Sequence, residues 1–297
     1  MKIRIGVSLG TEGAPDAFAT AVDLLEAAGI DSLWLPEHVY AAAVEPFTGV
    51  AFALSRTKHL KAGTGIAVLP GRHPALVAKQ LASLAGLAPR RVLPVFGLQP
   101  AATSERAAFP VPAGPGQRAA VFDEALTLLR RLLTADEPVT FEGRFFAVSG
   151  AWAGPRPAPP LDIWLAGSAP GALRRTGRLA DGWLGSLMTP GEAGEAVRAI
   201  QASAAEAGRE VDPDHFGMSM AIAFGPLPDS YAAAVARRRP GIAPQSLAAR
   251  GWAGARTMIS AYAEAGVSKF VVRPLGGEVA LEEFLDGFAR ELMPLQT

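Results

Sequence analysis

Short apolar runs, often β-branched, alternate with longer Ala- and Leu-rich stretches along the whole chain. The short runs, at 3–9, 32–35, 61–69, 92–98, 162–166, 183–186, 216–224 and 270–273, read as eight strands. The longer ones predict helices over 16–28, 74–87, 118–133, 171–180, 191–207, 255–265 and 281–292. The strands are close to continuously apolar, as a sheet buried on both faces requires, so a parallel sheet covered by helices follows. Glycines such as Gly29 and Gly266 stand where helices should end, as left-handed C-caps do. Eight such strands fit an α/β fold of the (β/α)8 TIM-barrel type better than an open doubly wound sheet.

Three segments break the rhythm, and they predict insertions after strand 4, before strand 5 and after strand 7. Residues 99–116 form a long helix-poor connection. Residues 138–160 hold a β-hairpin around Glu142-Gly143 and then a proline-rich stretch at 154–160. Residues 225–245, with Pro226, Pro228, Pro240 and Pro244, read as a loop. Loops this long in a compact fold usually serve as lids or binding loops. A barrel of ~250 residues folds as one unit, so 1–297 is expected to be a single domain.

Composition narrows the function. Apolar residues make up 49% and charged residues 19% of the 297, which allows a large core. Net charge is +0, so no global field draws the chain to nucleic acid or an anionic membrane. The absence of cysteine removes disulfides, thiolate catalysis and Cys-based metal sites. The four histidines lack i, i+4 zinc spacing. No signal-peptide h-region or bilayer-length apolar run occurs, so a cytoplasmic location is expected. P-loop, Rossmann and nucleophile-elbow motifs are missing. Arg237-Arg238-Arg239 reads as a solvated face.

Candidate chemistry gathers at strand ends, which form the mouth of such a barrel. The strand at 32–35 runs into Pro36-Glu37-His38. Imidazole titrates near neutral pH and a neighbouring carboxylate can fix its tautomer, so Glu37 and His38 suit proton chemistry. A polar loop start is the bland alternative. Gly63-Thr64-Gly65 puts two glycines inside a strand, which calls for a bulge, a close approach or a tight corner. His73, before Pro74, reads as a helix cap. Gly167-Ser168 joins a strand directly to a helix start, a natural phosphate site, with Ser168 as a plain N-cap the alternative. Arg174 and Arg175 follow one turn later.

With these motifs in order, the chain resembles the bacterial luciferase-like family of flavin and deazaflavin oxidoreductases over most of its length. Ser32-Leu33-Trp34-Leu35-Pro36-Glu37-His38, Gly63-Thr64-Gly65-Ile66 with Arg72-His73-Pro74, Phe122-Asp123-Glu124-Ala125-Leu126 with Phe141-Glu142-Gly143-Arg144-Phe145-Phe146, and Ile163-Trp164-Leu165-Ala166-Gly167-Ser168 with Ala180-Asp181-Gly182-Trp183 carry the likeness. The resemblance implies a flat tricyclic cofactor across the barrel mouth and a non-proline cis peptide at Gly65–Ile66 against its ring. His38 would exchange a proton beside the substrate, and Glu37 would orient His38 or bond the ring edge. Gly167 and Ser168 would take a phosphate. Arg72, Arg174, Arg175 and Arg273 would meet an anionic tail. Gln99 departs from the pattern: some deazaflavin-dependent members carry a catalytic Glu near this position, and an amide cannot replace it in acid–base work. The implied activity is hydride transfer between coenzyme F420 and an organic small molecule. FMN-dependent monooxygenation, fed by a flavin reductase, and a non-catalytic flavin- or deazaflavin-binding barrel are the alternatives. Relatives of this type often form homodimers.

Overall fold

The protein is described by a computed structural model covering residues 1–9, 15–276 and 279–297. The strands are β1 (Arg4–Ser8), β2 (Ser32–Leu35), β3 (Lys61–Thr64), β4 (Ala67–Val68), β5 (Val92–Leu93), β6 (Val95–Gly97), β7 (Val139–Glu142), β8 (Ala147–Ala151), β9 (Trp164–Ala166), β10 (Gly182–Ser186), β11 (Phe216–Ala223), β12 (Ala248–Arg250) and β13 (Lys269–Leu275). The helices are α1 (Pro15–Ala27), α2 (Pro46–Arg56), α3 (Pro74–Leu87), α4 (Arg118–Thr134), α5 (Pro170–Leu179), α6 (Pro190–Glu206), α7 (Asp229–Arg238), α8 (Gly251–Glu264) and α9 (Leu281–Glu291).

The fold is α/β, with a parallel, curled sheet. β1 pairs with β2 on one side and β13 on the other, and β13 continues through β11, β10 and β9 to β6. β2 pairs with β3, β3 with β5, and β4 with β6. β3 and β4 are two parts of the expected third strand, parted at a cis Gly65–Ile66 peptide; β5 and β6 are two parts of the fourth, parted at Pro94, which has no N–H to give a ladder. All eight expected strands are therefore present. β7 and β8 form the expected antiparallel hairpin.

Two helices go beyond the sequence expectation. α2 was not anticipated: Thr48, Gly49 and Val50 are poor helix formers, yet Glu45 caps it and its Phe47, Val50, Ala53 and Leu54 are buried. α7 lies inside the stretch expected to be a loop. Its prolines fall outside the helix, Pro228 at the N-cap and Pro240 past the C-cap, so they bound the helix. Arg237 and Arg238 form its last turn, where cations suit the helix dipole.

Successive strand residues separate into two cores. Trp34, Val95, Trp164, Leu184 and Val271 cluster inside the curl. Their neighbours Leu33, Leu35, Leu165, Trp183, Phe270 and Val272 join the larger core that includes buried faces of the helices, as period-two alternation demands.

Candidate functional site

Because the strands are parallel, their C-terminal ends open on one side, where the residues following β2, β4 and β6 meet and those following β9 begin α5. The local backbone builds this mouth. The β2 end carries on by backbone bonds, with Gly65 N–H donating to Leu35 O at 2.7 Å and Glu37 N–H to Ile66 O at 3.0 Å. Ile66 then packs against Gly97, where a Cβ would stand 2.5 Å from its Cδ1. The glycine at 63 has a different cause: a Cβ there would lie 2.1 Å from Leu93 O, the backbone of the next strand.

Glu37 is buried, and its carboxylate is engaged with the loop after β4. Oε2 accepts from Val68 N–H at 2.7 Å and from Arg72 Nη1 at 3.0 Å, while Oε1 accepts from Arg72 Nη2. Arg72 Nη1 also donates to Val68 O at 2.6 Å. The guanidinium lies 5.6 Å from the ring centre of Phe47 and 5.2 Å from that of Phe109, within cation–π range.

The carboxylate that His38 meets is Glu105, from a 3-10 turn (Thr103–Ala108) in the connection after β6. His38 Nδ1 lies 3.9 Å from Glu105 Oε2. Glu105 is 3% exposed; its Oε1 accepts Tyr40 N–H at 3.1 Å and its Oε2 has no hydrogen-bond partner among the described residues. Burial lowers the imidazole pKa below the usual histidine value, Glu105 and Glu37 pull it back up, and Arg273 pushes it down. Burial thus favours the neutral, proton-accepting imidazole, with the Glu105 carboxyl group beside it. Sequence reasoning missed Glu105, since Thr103-Ser104-Glu105-Arg106 has the polarity of a surface loop; the length of the connection was the one usable signal.

The other candidate residues border the mouth. Gln99 is exposed two residues past β6. Gly167, at φ +124, follows β9, and its carbonyl accepts from Trp183 Nε1 at 2.9 Å. Ser168 is exposed, and the N-cap of α5 falls on Ala169, which has no side-chain cap; the N-cap alternative for Ser168 does not hold. The first turn of α5 thus lacks a side-chain acceptor, as an anion seat would. Arg174 is exposed there, whereas Arg175 is buried against Asp123, its guanidinium 5.2 Å from the Phe122 ring centre. His73 caps α3 as expected, accepting Ala75 N–H at 3.3 Å. Among the described residues no His, Asp and Glu cluster could hold a metal, and no helix is long and apolar enough to cross a membrane.

The profile described as luciferase-like monooxygenase matches residues 1–271. A protein of Beutenbergia cavernae named F420-dependent glucose-6-phosphate dehydrogenase is 32% identical over 61% of this chain and 56% of its own length. Its namesake in Nakamurella multipartita is 30% identical over 75% and 68%. The F420-dependent hydroxymycolic acid dehydrogenase of Mycobacterium tuberculosis is 30% identical over 77% and 64%. The chain spans little more than half the length of the first of these. Among solved structures, an F420-dependent secondary alcohol dehydrogenase superposes with a TM-score of 0.82 at 21% identity, covering 100% of both chains. The coenzyme F420-dependent tetrahydromethanopterin reductase of Methanopyrus kandleri gives 0.79 at 18%, again covering 100% of both.

Proposed function

This chain belongs to the luciferase-like monooxygenase family, and we propose that it moves a hydride between bound coenzyme F420 and an organic substrate. The observation that carries the chemistry is the His38 imidazole set 3.9 Å from a buried carboxylate at the mouth, with burial favouring its neutral form. Support for the cofactor comes from the F420-dependent relatives.

The mouth fits such a group. It offers an uncapped helix start beside an exposed, left-handed Gly167 and an unpartnered buried oxygen on Glu105. Gly167, Ser168 and Arg174 would hold the phosphate, and Gly65, Ile66 and Gln99 would border the ring. When bound, F420 supplies the hydride-carrying ring. His38 accepts a proton from a substrate hydroxyl as the hydroxyl carbon becomes a carbonyl, and returns it in the reverse direction. Glu105 stabilises the imidazolium so formed and holds its orientation. Glu37 keeps the backbone carrying His38 in place through Arg72 and Val68.

The proposal extends to a single (β/α)8 barrel domain over 1–297 with insertions after strand 4, before strand 5 and after strand 7, working as a cytoplasmic homodimer. Phe52 on α2 and Leu76 and Leu87 on α3 stand exposed, the apolar surface a dimer would cover. Side-by-side equilibrium binding of F420 and FMN, followed by fluorescence, tests the cofactor. Micromolar or tighter F420 binding with weak FMN binding is expected. The reverse would favour the monooxygenase, and binding of neither would sink the proposal.

A further inference from the structure

At the face opposite the mouth, where the parallel strands begin, lies a cavity of about 390 Å³ whose inner wall includes Trp34, Trp164, Leu93 and Val95. The two indoles occupy space left by glycines: a Cβ at Gly6 would stand 2.7 Å from Trp34 Nε1, and one at Gly182 would stand 2.4 Å from Trp164. Lys269, the first residue of β13, also lines the cavity. Its Nζ is 5.8 Å from the Trp34 ring centre and 3.8 Å from Asp31 Oδ2. Asp31 already holds Lys61 Nζ at 2.6 Å through its other oxygen. Two ammonium groups thus share one carboxylate, and Arg4, bonded to the carbonyls of Ile3 and Thr297, adds positive charge beside them.

The acidic wall, Asp162, Asp212 and Asp214, offsets part of this charge, but Asp162 and Asp212 are exposed to screening solvent, whereas the Lys269 side chain is only 11% exposed. Asp162 lies 3.7 Å from His215, whose Nδ1 bonds Asp181 O at 2.9 Å and whose ring packs tilted on Trp164, 5.4 Å between centres. Asp212 caps its own turn, and Asp214 accepts Lys2 N–H at 2.7 Å. Arg90 completes the rim with further positive charge.

We propose that this cavity is a second ligand site, for a small planar organic anion whose ring lies against Trp34 and Trp164 and whose charge pairs with Lys269. The volume falls in the ~300–1,000 Å³ range of small-molecule sites. Indoles favour a flat aromatic partner, and an ion pair to the Lys269 ammonium, whose side chain is 11% exposed, is screened less than one at the surface. None of the residues proposed for hydride transfer lines this cavity, so the two sites can be tested apart.

The test is saturation-transfer NMR titration of the intact protein with benzoate and with benzamide, its neutral isostere. Saturable benzoate binding at least tenfold tighter than benzamide binding is expected. Burial, opposed by Asp31 and assisted by Lys61 and Arg4, brings the Lys269 amine down to about 8. Benzoate affinity should therefore fall about tenfold per pH unit above that point, while Lys269→Met should abolish the preference for the anion. Equal binding of benzoate and benzamide overturns the proposal, as does benzoate affinity unchanged in Lys269→Met or lost only in His38→Ala. Should Lys269→Met fail to fold, the benzoate–benzamide contrast and its pH dependence in the wild-type protein decide the matter.

Discussion

At His38, burial and Arg273 favour the neutral imidazole while Glu105 and Glu37 favour the charged one. If His38 accepts the substrate proton as proposed, activity in the oxidising direction needs the neutral form and should fall as pH drops through a pKa below the ordinary histidine value. Glu105→Gln removes a negative charge that holds that pKa up. The acidic limb of the rate–pH profile should then move to lower pH, and the plateau should fall because the imidazolium loses its partner. Arg273→Gln should move the limb the other way. Identical limbs in all three proteins would remove the pair from the mechanism. His38→Ala should lower turnover ~10²–10⁴-fold, the usual contribution of one acid–base group, with F420 affinity within a small factor of wild type.

Around that pair, the connection between β2 and α2 is tied to the loop after β4 by Glu37 and Arg72, and Arg72 packs on Phe109 just beyond the turn that carries Glu105. Arg72→Met would strand a buried carboxylate, at a cost of about 3–5 kcal/mol. Glu37→Met with Arg72→Met should recover most of the loss, since the second change removes the orphaned charge. Urea midpoints of the two variants check this; a double variant no more stable than the single one would mean that the clamp is not the source. Most elements were legible in the sequence. Continuous apolar runs marked all eight strands because both faces of this sheet are covered, and Gly29 and Gly266, both at positive φ, end helices as their positions suggested. α2 and α7 were not legible, because propensity and proline count spoke against helices that packing and capping stabilise.

Across the molecule, two charged sites lie at opposite ends of one curled sheet while net charge stays at +0. The end away from the mouth has its own signature in stability. Lys269 titrates near 10.5 when unfolded and about 8 when folded, so between those values the unfolded chain holds more protons. Stability should therefore rise with pH across that window. Tyr262, which burial pushes up to about 12, works in the opposite sense above its ordinary value of 10. The rise is best read between pH 8 and 10, and Lys269→Met should flatten it in urea unfolding.

The succession of the eight strands and the delivery of Glu37 and His38 to a strand end were written locally, and each follows from burial periodicity within a few residues. The reason for the glycine at 63, the approach of Leu93 O from the next strand, was not. Which carboxylate serves His38 was not. Glu37 adjoins His38 in the chain but is engaged by Arg72 and Val68 N–H, while Glu105 arrives from a distant connection that only the curl of the sheet brings alongside. The burial of Glu105, the excess charge around Lys269 and the cavity beneath Trp34 and Trp164 are likewise products of long-range packing. Such pairings depend on where separate segments meet in space, and no periodicity along the chain encodes that.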